Sequence, residues 1–380
     1  MSNGQRSAAP EPGCMRSPLR QAAWLHHIAG LAIAIGCGAA PAQALPPGCA
    51  EAPPLPESRL ACAYQTDMSY RPGEIDLDLL HDPNRNNYPV PLKVRFPIGA
   101  TLPRPVIIWH HGGDPHPEGR QRSMEWGKAL ARAGYVVVHP SRVQVSAFTE
   151  HDVGECRRNG FLPSSGQPTA EERQACVKWL SQARYGPQNT HFILSRLRNL
   201  PAPVARLFDL SRVAVAGHSA GTMAVQANAG AWQQWASHRY SERVEGARAF
   251  MGTGMQGPAY AGFINGFQHD SYYGVDRPML TISGRGDYTG EPSASKAAAW
   301  LMSARNHKFL SWASSLDAVH ETMDIDKCDG PVRALHCRWF ESLGVAFMDA
   351  HLRERQEAID WLASDAYARM TLGTVDLQRR

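Results

Sequence analysis

With 380 residues, 43% of them hydrophobic and 19% charged, the chain is too apolar to be disordered and long enough for one large core. Its formal charge of +4 is spread without blocks of like sign, which excludes the electrostatic footprint of a nucleic-acid-binding protein.

Residues 1–44 read as a signal peptide: Arg16 and Arg20 precede the apolar run Ile28–Gly36, and Ala42-Gln43-Ala44 offers a small-residue cleavage site. That run is too short to stay in a bilayer as a spanning helix, so no stable transmembrane segment is expected after processing. Export to the periplasm or the medium follows. Lipid attachment at Cys37 is the weaker alternative, because Ala34 stands where a larger aliphatic side chain is usual. Beyond residue 44 the cysteines are Cys49, Cys62, Cys156, Cys176, Cys328 and Cys337. An even set in an oxidising compartment suggests disulfides. Pairing of nearest neighbours (49–62, 156–176, 328–337) is expected, because short loops close most easily.

Residues 45–70 form a Pro- and Ala-rich, irregular mature N-terminus. A catalytic-sized domain is then expected over 71–363, with 364–380 as a C-terminal tail. Ile75–Leu79 and Val90–Phe96 alternate apolar and polar residues, as paired strands with one wet face do. Pro105–His110 and Tyr135–His139 are short β-branched runs typical of buried parallel strands, with a helix over Gln121–Ala133 between them ending at Gly134. Residues 141–200 break the rhythm. Within them Thr169-Ala-Glu-Glu172 is a capping box opening a helix, and the segment is either a lid or a crossover helix with a decorated loop. Further strands are expected at Arg212–Ala216, Ala247–Gly252, Pro278–Ser283 and Lys308–Ala313, and a last helix spaces Trp339, Leu343 and Phe347 along one face. Such β–α alternation builds a mostly parallel central sheet with helices on both faces.

Gly217-His218-Ser219-Ala220-Gly221 matches G-x-S-x-G. The pentapeptide alone is weak, but the buried-strand sequence Val213–Ala216 runs straight into it and a helix-compatible stretch follows. A serine hydroxyl is a poor nucleophile and must be presented on a tight strand-to-helix turn within reach of a base. Gly217 and Gly221 would relieve crowding where strand and helix nearly touch. The N–H of Ala220, behind the serine, is aimed at developing negative charge. The strand ending in His110-His111-Gly112-Gly113 supplies further amides, so Gly112, Gly113 and Ala220 are the expected oxyanion hole. The adjacent histidines lack a third ligand at helical spacing, so no metal is expected.

The acid and the base follow in the order Ser, acid, His. Asp287 ends the turn after Pro278–Gly284, with Glu291 as its nearest rival; His320 follows Lys308–Trp312 in a short loop, a position that His307 and His336 fit less well. Imidazole titrates near neutrality and can take a proton from serine and return it to a leaving alcohol.

The ordered set Tyr88–Pro97, His111-Gly112-Gly113, Gly134–Val138, Asp209–Val213 leading into Gly217–Gly221, Met255–Pro258 and Gly284–Asp287 resembles the α/β-hydrolase superfamily over most of residues 70–355. Within it the chain is most similar to platelet-activating-factor acetylhydrolase-like and dienelactone-hydrolase-like proteins. The resemblance implies an α/β-hydrolase fold, a Ser219–His320–Asp287 triad, hydrolysis of a small-molecule or lipid-like ester through an acyl-enzyme, and no cofactor. Two positions depart from it: Thr222 stands where relatives often carry a second glycine, and true dienelactone hydrolases use cysteine at the place of Ser219. A serine peptidase or amidase on the same fold shares this chemistry, and an idle fold used for binding is the non-enzymatic reading. Nothing in the residues sets the acyl preference or the oligomeric state.

Overall fold

A computed structural model describes residues 45–46, 48–49, 58–78, 80–145, 149–258 and 266–380; the expected signal peptide and Cys37 lie outside them. The β-branched and alternating runs form a nine-stranded mixed sheet. Its strands are β1 (Arg71–Leu77), β2 (Leu92–Ile98), β3 (Arg104–His110), β4 (Val136–Pro140), β5 (Phe208–His218), β6 (Ala247–Thr253), β7 (Met279–Gly284), β8 (Lys308–Ala313) and β9 (Val375–Arg379). In space they run β1-β2-β4-β3-β5-β6-β7-β8-β9. Pairing is parallel from β4 through β3, β5, β6 and β7 to β8. The edges are antiparallel: β1 on β2 with Ile75 opposite Val94, β2 on β4, and β9 on β8.

Because side chains alternate across a strand, neighbours in one run serve opposite cores. Ile107, Trp109, Val137, Ala214 and Met251 pack with Trp126, Phe340, Leu343 and Phe347 on one face. Val106, Ile108, Val138, Val215 and Phe250 pack with Trp179, Ile193, Met223 and Val225 on the other. The helices covering the first face are α1 (Met124–Arg132), α7 (Pro331–Leu352), α8 (Gln356–Ala363) and α9 (Ala366–Thr371). Trp339, Leu343 and Phe347 do share the buried face of α7. Both faces of the parallel strands are thereby dry, which is why their sequences read as unbroken apolar runs.

Residues 364–380 are not a tail. They form α9 and β9, and β9 alternates buried Val375 and Leu377 with more exposed neighbours as it closes the edge of the sheet. Helix α1 also starts later than its apolar pattern suggests. Ser123 takes a left-handed φ of 53° and interrupts the turn, and the first amides of α1 are capped from far along the chain by Asp326, whose carboxylate accepts from Met124 N at 3.1 Å and Glu125 N at 2.7 Å.

Residues 141–200 contain α2 (Glu150–Arg158), α3 (Ala170–Trp179), a π turn and α4 (Tyr185–Leu197). The Thr169–Glu172 capping box forms as expected, and α2 carries a second one between Thr149 and Asp152. Helix α4 packs against β5 and against α5 (Thr222–Ala229), as a crossover helix must.

The disulfides are Cys49–Cys62, Cys156–Cys176 and Cys328–Cys337, the nearest-neighbour set. Cys156–Cys176 ties α2 to α3 across a sequence separation of 20. Replacing both cysteines by serine is expected to cost about 3 kcal/mol through the freer unfolded chain, read as a lower denaturant midpoint; a loss below about 0.5 kcal/mol would show that the loop is restrained by other contacts.

Candidate active site

Strand β5 ends at His218, and Ser219–Gly221 form a 3-10 turn that runs into α5. Ser219 sits at φ 52°, a left-handed conformation that costs a residue with a Cβ about 1–2 kcal/mol and that lifts its side chain off the turn. The flanking glycines are sterically required. A Cβ on Gly217 would stand 2.7 Å from the His110 carbonyl oxygen, and one on Gly221 would collide with the same oxygen. Thr222 fills a role that glycine cannot: its hydroxyl donates to Ser219 O at 2.7 Å and accepts from Gln256 N at 3.0 Å.

Two loops at the carboxyl ends of β7 and β8 bring the expected acid and base together. They approach closely because Gly286 has no side chain; a Cβ there would stand 2.5 Å from Leu316 O. His320 Nδ1 lies 2.6 Å from Asp287 Oδ1. A carboxylate can only accept, so Nδ1 carries a proton, and in the neutral imidazole that leaves the lone pair on Nε2. Asp287 is fully buried and also accepts from Ser283 Oγ at 2.7 Å. Burial alone would raise its carboxyl, but the hydrogen bond and charge of His320, with Lys296 and Ser283, hold it below the usual aspartate value. Fully buried Lys296 places Nζ 3.3 Å from Asp287 Oδ1 and 3.5 Å from Glu291 Oε1.

Glu291 is bonded elsewhere. Its two oxygens accept from Gly257 N at 3.1 Å each.

Ser219, His320, Gly112 and Gly113 line one cleft of about 430 Å3, together with Arg122, His218, Glu321, Asp324, Asp326 and Lys327. Ala220 is buried beside Ser219 in the 3-10 turn. Among the described residues, none of 141–200 lines the cleft. His320 Nε2 has no hydrogen-bond partner among the described residues, and Ser219 Oγ accepts weakly from Gln256 Nε2 at 3.4 Å. Ser219 Oγ and His320 Nε2 are therefore not hydrogen-bonded to each other in this structure. The segment bearing His320 is anchored on α1, where Trp126 Nε1 donates to Met323 O at 3.1 Å and Asp326 supplies the cap already described.

The His218 ring lies tilted against His320, centroids 4.7 Å apart, and donates through Nε2 to the His320 carbonyl at 3.1 Å. Burial, reinforced by the neighbouring His320, pushes His218 down to about 3, so it serves as a neutral spacer rather than a rival base. His110 and His111 are likewise buried and kept neutral, first by desolvation and then by the nearby Arg142. His110 Nε2 meets Thr190 Oγ1 at 2.8 Å, and His111 meets Gly112 O at 2.8 Å.

Four residues at or behind the site carry no local sequence signal: Arg122, Arg142, Lys296 and Asp326. Their partners are main-chain oxygens, main-chain amides or buried carboxylates in neighbouring loops and elements, which no local pattern announces. Comparison of the chain with protein-family models and with curated proteins finds no match.

Proposed function

We propose that the chain is an exported serine esterase of the α/β-hydrolase type. The observation that carries this reading is the hydrogen-bonded Asp287–His320 pair, whose imidazole lines the same cleft as Ser219 on its left-handed turn. The glycine loop after β3 and the amide after the serine supply the remaining parts expected of such a site. In the first half-reaction Ser219 Oγ bonds to the ester carbonyl carbon as its proton passes to His320 Nε2. The resulting oxyanion is held by the amides near Gly112, Gly113 and Ala220. Collapse breaks the ester C–O bond, and His320 returns the proton to the leaving alcohol. Water then repeats the sequence on the acyl-serine and releases the acid. Asp287 stays ionised throughout and keeps the imidazole in one tautomer. Export is supported by the three disulfides, which persist in oxidising compartments.

A panel of p-nitrophenyl esters and peptide anilides, read together with fluorophosphonate labelling, tests the assignment. Ester turnover should fall in step with covalent capture of the peptide containing Ser219. Anilide turnover of comparable efficiency would shift the reading to a peptidase, and absence of both turnover and label would leave the fold as a binding module.

A further inference from the structure

Four consecutive carbonyl oxygens in the loop after β3 are gripped alternately by two arginines. Arg142 Nη2 donates to His111 O at 3.1 Å and to Gly113 O at 2.6 Å. Arg122 Nη1 donates to Gly112 O at 2.8 Å and reaches Asp114 O at 3.3 Å. Arg142 follows β4 and is 1% exposed. Its Nε and Nη1 find no acceptor among the described residues. A buried guanidinium without a contacting carboxylate is costly, and here its hydrogen bonds go wholly to this loop.

The loop has a conflict to resolve. Glycine is needed at both positions: a Cβ on Gly112 would stand 2.8 Å from His218 Nδ1 and 2.9 Å from Ser219 Cβ, and Gly113 takes a left-handed φ that strains any residue with a Cβ. Yet two successive glycines, the second at φ 72°, have the widest backbone freedom of any pair, whereas an oxyanion hole works only if its donors are fixed in advance. A peptide unit is planar and trans, so pinning one carbonyl sets the direction of the next N–H. Arg142 on His111 O thereby fixes the Gly112 amide, and Arg122 on Gly112 O fixes the Gly113 amide.

We propose that Arg142 and Arg122 are positioning residues that preorganise the oxyanion-binding amides of Gly112 and Gly113, with the buried charge of Arg142 adding to the field felt by the oxyanion. This rests on the serine-hydrolase reading above. Lysine cannot replace Arg142, because a single ammonium lacks the planar fork that spans two carbonyls.

The test uses the full chain with Arg142→Lys and Arg122→Met, the second at an exposed side chain so that folding is not at risk. Three quantities are measured: kcat and KM on a p-nitrophenyl ester, affinity for a trifluoromethyl ketone that forms a tetrahedral adduct, and hydrogen exchange across residues 111–114. Expected are a kcat lower by about 100-fold for Arg142→Lys and about 10-fold for Arg122→Met, with KM within about twofold. Ketone affinity should weaken in proportion and exchange should quicken. Arg122→Met with kcat, ketone affinity and exchange all within about twofold of wild type would overturn the clamp. If the wild type neither turns over esters nor binds the ketone, the esterase reading fails, and exchange alone decides: faster exchange in Arg122→Met supports the clamp, unchanged exchange overturns it.

Discussion

Ser219→Ala is expected to lower kcat for a p-nitrophenyl ester by about 10^6, the scale seen when the nucleophile of a Ser-His-Asp hydrolase is removed. The loss is chemical, not structural. Thr222 Oγ1 bonds the backbone carbonyl of residue 219 rather than its side chain, and the tight contacts of the turn involve Gly217, Gly221 and the His110 carbonyl. Alanine keeps the Cβ and therefore the cost of φ 52°, so the denaturation midpoint should stay near wild type. Ser219→Gly should be equally inactive but at least as stable, because glycine occupies the left-handed region without that cost. Inactive variants with unaltered stability place the defect at the hydroxyl. Ser219→Ala that retains more than about 1% of wild-type turnover after repurification would remove Ser219 as the nucleophile.

What was legible in the chain depended on how local each signal is. Val106–Ile108 and Val136–Val138 read as buried strands because both faces of each are dry, so hydrophobicity alone marks them. The Cys156–Cys176 pairing could be anticipated from its short loop. The start of α1 could not, since its cap is Asp326, some 200 residues away. Strand β9 escaped notice because Val375-Asp-Leu-Gln-Arg379 is too short for its alternation to stand out, and its stability comes from pairing with Phe309–Ala313. The same division holds at the site. Ser219 announces itself through the strand and turn around it, and Asp287 and His320 through their place after successive strands. Arg122 and Arg142 grip main-chain oxygens, and no residue pattern in the sequence encodes a carbonyl as a partner. Lys296 looks like any surface lysine until folding encloses it between two carboxylates.

That enclosure bears on which carboxylate serves as the acid. Asp287→Asn is expected to lower kcat at neutral pH by about 10^4. The amide turns a donor toward Nδ1 of His320, which drives the imidazole proton to Nε2, where it blocks acceptance from Ser219. Glu291→Gln should cost less than about 10-fold, because Glu291 meets Lys296 and the Gly257 amide rather than the imidazole, and glutamine keeps one oxygen to accept from that amide. The stability of Asp287→Asn against pH carries a second signature. The folded-state pKa of Asp287 is depressed, so its ionised form contributes stability that is fully present above the usual carboxylate value near 4 and is lost as pH falls through the folded value. The gap between wild type and Asp287→Asn should therefore be widest at neutral pH and narrow below about pH 4. Urea midpoints at pH 7 and pH 3 measure it. A gap that stays constant would mean that Asp287 is not ionised beside His320, and a 10^4 loss in Glu291→Gln with near-normal Asp287→Asn would transfer the role of acid to Glu291.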